Sequence, residues 1–231
     1  MVKKAHPKGI GVLPNSGSFV ISKNYIGGVI LFDETIKQKT SDGQTIPELI
    51  SENNAIPGIK VDKGAKPLAG SPDETVTEGL DGLRERLKEY YDLGARFTKW
   101  RAVYKITYSL PSSQSIKSNA HALARYASLV QEANMVPIVE PEVLMDGEHS
   151  ADDCLIKTSE VIQKCFEELI IHKIDLTGII LKPNMILAGN NSKNKILFYI
   201  ILGFLPNDID RTRSNFRVFP AGAKARCKTS V

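Results

Sequence analysis

Five short apolar runs, rich in β-branched residues, recur along the chain and constrain its fold more than any other feature. They span residues 27–32, 56–61, 96–103, 136–143 and 177–181. Successive runs begin 29, 40, 40 and 41 residues apart. Runs of this length and composition are typical of β-strands that are buried on both faces. The spacing leaves room for one helix between neighbouring strands.

Helical patterns fill the later intervals. Their apolar positions are Leu80, Leu83, Leu87 and Tyr90 or Tyr91; Ile116, Leu123, Ala127 and Val130; and Leu155, Val161, Ile162, Phe166, Leu169 and Ile170. Ser112 precedes the second pattern and Ser150 the third, as N-caps do, and Gly94 ends the first. Strands that alternate with amphipathic helices predict a parallel α/β sheet.

Two parallel architectures fit this alternation, a doubly wound open sheet and a (β/α)8 barrel of the TIM type. An open nucleotide-binding sheet usually carries Gly-x-Gly-x-x-Gly after its first strand, whereas Gly27 and Gly28 lie inside a predicted strand. We therefore favour the barrel. Such barrels typically have about 250 residues, so a chain of 231 residues leaves little room for extra elements.

The net charge of +4 is concentrated in the last part of the chain. Six Lys or Arg residues and two Asp residues follow Pro206, whereas residues 1–205 carry equal numbers of basic and acidic groups. A neutral body does not favour contact with a phosphate backbone, so we expect no nucleic-acid partner. The apolar run at 196–205 is about half as long as a membrane helix of ~20 residues, and we expect no membrane span.

Cysteine use and the first residues of the chain bear on the compartment. Cys154, Cys165 and Cys227 form no Cys-x-x-Cys pair, which favours neither a disulfide framework nor a zinc site. The first residues contain no apolar stretch of signal-peptide length. We therefore expect a protein of the reducing cytoplasm.

Charged residues follow the predicted strands, at the end of a barrel where active sites lie. The strand endings are Asp33-Glu34, Lys60-Val61-Asp62-Lys63, Lys99-Trp100-Arg101, Glu140-Pro141-Glu142 and Lys182-Pro183-Asn184. Because side chains alternate along a strand, each of four sets shares one face: Lys60 with Asp62, Lys99 with Arg101, Glu140 with Glu142, and Lys182 with Gly178 and Ile180. If these faces line the barrel interior, several lysines and two carboxylates meet in one pocket.

This combination of groups suits an imine mechanism. A lysine amine is a nucleophile only when it is uncharged, and burial or a neighbouring cation favours that form. Lys182 follows the most apolar strand. A nearby glutamate can move the protons needed to form and dehydrate a carbinolamine, while further cations hold phosphates. The pattern therefore indicates chemistry on a phosphorylated carbonyl compound.

Structural interpretations of the same residues stand beside this one. Lysines that end strands are usually solvated, and Glu140 and Glu142 could merely end a strand before a loop. Lys99 and Arg101 could be a surface pair around a packed Trp100.

No metal site is expected from the sequence. His121 is predicted to be an ordinary half-buried histidine on a helix face, and His149 to lie in a loop. Neither has a partner at ligand spacing. Asp33 and Glu34 lack a His or Cys partner nearby in the sequence.

Seven segments carry a resemblance to a known family. They are GGVILFDET at 27–35, PGIKVDKG at 57–64, GLDGL at 79–83, KWR at 99–101, ALARYA at 122–127, VPIVEPE at 136–142 and LKPNM at 181–185. In this order they resemble the class I fructose-bisphosphate aldolases. The resemblance covers about residues 25–190, which is predicted to be the barrel core.

The resemblance implies a carbon-carbon lyase of glycolysis with a (β/α) barrel. Such an enzyme reversibly cleaves fructose 1,6-bisphosphate into dihydroxyacetone phosphate and glyceraldehyde 3-phosphate through a Schiff base, with no metal or other cofactor. Lys182 matches the Schiff-base lysine and Glu140 the proton-transfer glutamate. Lys99 matches a substrate-binding lysine, and Lys60, Arg101 and Glu142 line the same pocket. The family usually forms homotetramers.

The two ends of the chain depart from the family pattern. Residues 1–24 are divergent, and the segment at 7–16 lacks the aspartate of the family's first strand. Residues 191–231 form a basic tail without counterparts of the last two strands, of their glycine-rich loop or of the phosphate-binding arginine. We therefore expect an incomplete barrel, in which only residues 196–205 could replace a strand, and an activity far below that of an intact family member. The alternative is an inert truncated isoform that acts only as a binding or subunit-interaction protein.

Overall fold

Strands make up the centre of the molecule. The computed structural model describes residues 9–12 and 26–193. Its strands are β1 (Gly9–Val12), β2 (Ile26–Leu31), β3 (Ile56–Lys60), β4 (Ala65–Pro67), β5 (Thr75–Thr77), β6 (Phe97–Tyr104), β7 (Val136–Val143) and β8 (Ile180–Leu181). Six of them form one parallel sheet in the order β1-β2-β3-β6-β7-β8, and β4 pairs antiparallel with β5.

Helices connect most of the parallel strands. They are α1 (Asp33–Ile36), α2 (Ile46–Glu52), α3 (Leu83–Asp92), α4 (Ser113–Glu132) and α5 (Ala151–Ile171), with a 3-10 turn at Leu176–Gly178. The predicted start signals are confirmed, since the Ser112 and Ser150 side chains cap α4 and α5. Gly94 follows α3 with φ +108°, a conformation that favours glycine. Among the described residues, no helix combines the length and the apolar character needed to cross a bilayer.

Four of the five predicted strands are confirmed to within about two residues. The fifth, predicted at 177–181, is wrong in its first half. There the Asp175 side chain accepts a hydrogen bond from the backbone N–H of Thr177 at 2.9 Å and starts the 3-10 turn. Gly178 therefore shares no strand face with Lys182, and only Ile180 and Leu181 pair with β7.

The divergent amino-terminal segment also contributes a strand, since β1 pairs parallel with β2. The strand proposed at 196–205 lies outside the described residues, as does most of the tail at 191–231.

The sheet has two apolar faces. The larger core lies between the outer face and the helices and includes Trp100, Tyr126 and Phe166. A small second cluster of Ile30, Phe97 and Ile138 lies on the inner face. Along β6 and β7 this face changes from apolar at Phe97 and Ile138 to ionic at Lys99 and Glu140.

Glycine at position 58 is required by the Phe97 ring. A Cβ atom built at Gly58 would lie 2.3 Å from Phe97 Cζ, far inside contact distance. We expect Gly58→Ala to lower the free energy of unfolding by about 1–3 kcal/mol, because the ring is packed against Ile30 and Ile138 and has to move. Urea unfolding followed by circular dichroism measures this loss.

Phe97→Leu supplies the control for this prediction. In the double variant the smaller side chain makes room for the added methyl group, so the combined loss should be smaller than the sum of the two single losses. Strictly additive losses of unfolding free energy would show that contact with the Phe97 ring is not what requires glycine at position 58.

Candidate active site

The charged strand ends meet because the parallel strands are in register. Lys60 pairs with Lys99 across β3 and β6, and Arg101 pairs with Glu140 across β6 and β7. Lys182 follows β8, and its backbone N–H donates to Val139 O at 2.9 Å. Lys99 and Glu140 each lie two positions after a residue of the apolar inner face, Phe97 and Ile138 respectively, as the alternation of a strand requires.

Glu140 forms the centre of this group. Its side chain is 1% exposed, and its Oε1 atom accepts a hydrogen bond from Lys182 Nζ. Lys99 Nζ lies 2.8 Å from Oε2, in an ion pair that is not aligned as a hydrogen bond. The carboxylate thus joins two ammonium groups from the strands on either side.

The exposure of these side chains bears on the structural interpretation of the lysines. Lys182 is 25% exposed and Lys99 less, so neither is a solvated strand terminus. Glu140 likewise does not cap a strand before a loop. Trp100 packs on the opposite face, fully buried, with its ring 5.3 Å from that of Tyr126. The structure thus brings Lys99 and Lys182 together at Glu140, whereas Lys60 pairs with Asp62.

A second ion pair lies beside the first. Lys60 Nζ donates to Asp62 Oδ1, which also accepts from the backbone N–H of Gly64 at 3.1 Å. Asp62 Oδ2 lies 3.4 Å from the backbone nitrogen of Arg101. The Asp62 side chain is almost fully buried, so this carboxylate fixes the position of the Lys60 ammonium. The sequence placed Asp62 on the face of Lys60 but gave it no role.

Arg101 and Glu142 form the outer edge of the site. Arg101 Nη1 donates to Glu142 Oε2 at 3.0 Å, and the arginine side chain is about half exposed. An exposed guanidinium on the rim can exchange this partner for a phosphate at little cost.

Asn184 holds the segment that carries Lys182. Its Oδ1 atom accepts from the backbone N–H of Val143 at 3.1 Å, and its Nδ2 atom donates to Thr158 Oγ1 at 3.0 Å. The residue is buried. Sequence reasoning missed this role, although Asn184 lies within the LKPNM segment.

A buried hydroxyl pair supports the strands from the helix side. Tyr126 OH lies 2.6 Å from Thr98 Oγ1 and donates to Ile138 O at 3.2 Å. Burial raises the pKa of Tyr126 well above its usual value, so the phenol stays neutral. This contact ties α4 to β6 and β7.

The charged residues after β2 do not join the site. Asp33 begins α1, where it contacts Lys37 Nζ at 2.9 Å and accepts from Tyr90 OH at 2.8 Å. The hydrogen bond from Lys37 leads the effects that hold the pKa of Asp33 below its usual value. Burial is the main cause that raises the pKa of Tyr90. Both groups serve the packing of α1 on α3.

Comparison with known proteins identifies relatives of this chain. Residues 18–201 match the family model described as fructose-bisphosphate aldolase class-I. A probable fructose-bisphosphate aldolase class 1 of Xanthomonas campestris is 54% identical over 172 residues, which are 74% of this chain and 52% of the relative. Cytosolic fructose-bisphosphate aldolase 4 of Arabidopsis thaliana is 47% identical over 188 residues, 81% of this chain and 48% of the relative.

A solved structure supports the same relation. Fructose-bisphosphate aldolase of Plasmodium falciparum, crystallised with TRAP and a small-molecule inhibitor, superimposes with a TM-score of 0.74 at 46% identity. The match covers 76% of this chain and 51% of that chain. The predicted TIM-type fold class is thereby confirmed. The chain spans about half the length of the relatives that it matches.

Proposed function

Because the chain belongs to the class I fructose-bisphosphate aldolase family, we propose that Lys182 forms a Schiff base with the ketone carbon of a phosphorylated sugar. The observation that carries this proposal is the contact of Lys182 Nζ with the buried carboxylate of Glu140. A nucleophile and a proton acceptor already in contact are what imine formation requires.

Glu140 performs the proton transfers of this mechanism. It takes a proton from the Lys182 ammonium through their shared hydrogen bond, and the free amine attacks the ketone carbon. A proton then passes from the attacking nitrogen to the new alkoxide, which gives the neutral carbinolamine. The carboxylic acid protonates its hydroxyl, which leaves as water while the nitrogen lone pair forms the C=N bond. The resulting cationic imine draws in the electron pair of the carbon-carbon bond that breaks.

The other pocket residues bind the substrate. Lys99, the least exposed lysine of the pocket, lies beside Glu140 near the bond to be cleaved. Lys60, held by Asp62, and Arg101, paired with Glu142, provide two further cations towards the mouth of the pocket. Ammonium and guanidinium groups of this kind suit the phosphate groups of a sugar bisphosphate.

Fructose 1,6-bisphosphate is the proposed substrate, cleaved reversibly to dihydroxyacetone phosphate and glyceraldehyde 3-phosphate as a step of glycolysis in the cytoplasm. Cleavage also needs a base for the departing hydroxyl proton, and the GIGV sequence of β1 has no titratable side chain. We therefore expect imine formation to be retained better than turnover. Assembly into homotetramers, as in the family, is a further expectation that light scattering after size exclusion tests.

Borohydride trapping tests the proposal. Dihydroxyacetone phosphate and sodium borohydride are added to the folded chain, and the modified peptide is identified by mass spectrometry. We expect reduction of the imine to a stable secondary amine on Lys182. Lys182→Met should abolish the label, whereas Lys66→Met, at an exposed lysine of β4, should leave it unchanged.

The inert alternative predicts a different result. A sample that melts cooperatively but shows no adduct would contradict the proposed function and favour a binding protein without catalysis. A label that persists in Lys182→Met would place the reactive amine elsewhere.

A further inference from the structure

Two histidines and a glutamate meet on the outer surface, on helices α4 and α5. His121 Nδ1 of α4 lies 3.1 Å from Glu168 Oε2 of α5, and His172 Nδ1 lies 3.7 Å from the same oxygen. The two imidazole rings stand edge to face with their centroids 4.9 Å apart. One ligand atom from each of the three residues lies within 4.8 Å of the other two.

These separations suit a small divalent cation. With metal-ligand bonds of about 2.0–2.2 Å, the ligand atoms of a tetrahedral zinc site lie about 3.3–3.6 Å apart. The three ligand atoms, which lie within 4.8 Å of one another, would have to move closer together around an ion, and His172 would bind through Nε2 because its Nδ1 faces Glu168 O. His121 is 53% exposed, so its torsions are free to adjust and solvent can supply a fourth ligand.

A hydrogen bond to the backbone orients the His172 ring so that its other nitrogen can bind a metal ion. His172 Nδ1 lies 2.9 Å from Glu168 O, a contact in which the ring N–H donates and Nε2 keeps its lone pair. Zinc-binding histidines commonly donate their second ring nitrogen to a carbonyl or carboxylate in this way. His172 also caps the carboxyl end of α5, where the helix dipole favours a cation.

The lysine one turn before Glu168 does not occupy the Glu168 carboxylate. The ammonium of Lys164, one turn earlier on α5, contacts Glu167 rather than Glu168. Glu168 instead lies beside the two imidazoles. A divalent ion between these three side chains would give the Glu168 carboxylate a cationic partner.

We propose that His121, Glu168 and His172 bind a divalent transition-metal ion such as Zn²⁺. The site is separate from the Lys182 pocket and independent of the chemistry proposed there. Because its ligands come from two helices packed on the outside of the sheet, the bound ion would link α4 to α5. The expected role is structural, since the ion would stabilise the folded state by mass action.

Titration of the full chain with Zn²⁺ tests this inference. A Cys227→Ser background removes a thiol that could compete for the metal. Isothermal calorimetry should show binding of one ion per chain. At a free Zn²⁺ concentration of about ten times Kd, the Tm should rise by about 3–6 °C and return to its starting value with EDTA.

Variants distinguish this site from adventitious binding. His121→Asn and Glu168→Gln should each weaken binding at least about tenfold, while Glu167→Gln, one residue earlier on α5, should leave it unchanged. The metal-free Tm of each variant confirms that it folds. No binding by the parent chain, or equal binding by the His121→Asn variant, would overturn the inference.

Discussion

Replacement of Glu140 by glutamine is expected to slow the formation of the Lys182 adduct by about 10²–10⁴-fold, the usual contribution of a positioned acid-base group. Glutamine fills the same volume, but it can neither take the proton of the Lys182 ammonium nor return it to the carbinolamine hydroxyl. The amide also leaves Lys99 and Lys182 without their shared anion. The measurement is the rate of borohydride-trapped adduct, followed by the mass of the labelled peptide.

Glu142→Gln is the matched control for this variant. Glu142 lies two residues further along β7 on the same face, but its partner is the rim residue Arg101. Its loss should reduce the trapping rate by less than about tenfold, since surface ion pairs contribute up to ~1 kcal/mol. Equal trapping rates for the Glu140→Gln variant and the parent chain would show that Lys182 reacts without the help of Glu140.

Phe166→Ala is expected to cost about 3–5 kcal/mol of the free energy of unfolding. Phe166 lies on α5, has no exposed surface and belongs to the core between the helices and the sheet. Its removal leaves a cavity that rigid neighbours fill only in part. Because domains are stable by about 5–15 kcal/mol, the loss would be a large share of the total. Urea unfolding monitored by circular dichroism measures it.

The matching control lies one turn further along the same helix. Ile170 is also an apolar residue of α5, but it is 53% exposed. We expect Ile170→Ala to change the unfolding free energy by about 0.5 kcal/mol or less. Similar losses at the two positions would mean that α5 does not pack on the sheet as described.

The sequence predicts the barrel elements that follow simple periodicity. Residues 136–143 are rich in apolar and β-branched residues, and a strand of the same bounds is found there. Ser112 and Ser150 mark helix starts because their side chains satisfy free backbone N–H groups, which is a local interaction. The prediction of the fifth strand is wrong at its start for a local reason as well. The Asp175 side chain accepts a hydrogen bond from the backbone N–H of Thr177, which favours a 3-10 turn over hydrogen bonds to β7.

Other features depend on contacts that no short pattern reveals. Alternation places Glu140 on the inner face, but only the register of β8 brings Lys182 to it. The role of Asn184 rests on partners far away in the chain, and Asp62 also lies close to the backbone of the distant Arg101. The metal ligand set is invisible for the same reason, because His121 and Glu168 belong to different helices. Helix α2 was missed although Thr45 and Glu48 form a capping box that sequence could have shown.

The short length of β8 affects how firmly the backbone of Lys182 is held. Two residues provide few ladder bonds, so the backbone beyond them would swing freely if nothing else held it. The Asn184 side chain holds this backbone in place, because it hydrogen-bonds to Val143 of β7 and to Thr158 of α5. The position of Lys182 is therefore fixed by an outer helix as well as by its own strand, so a change in α5 would shift the Lys182 amine without altering any other residue of the charged pocket.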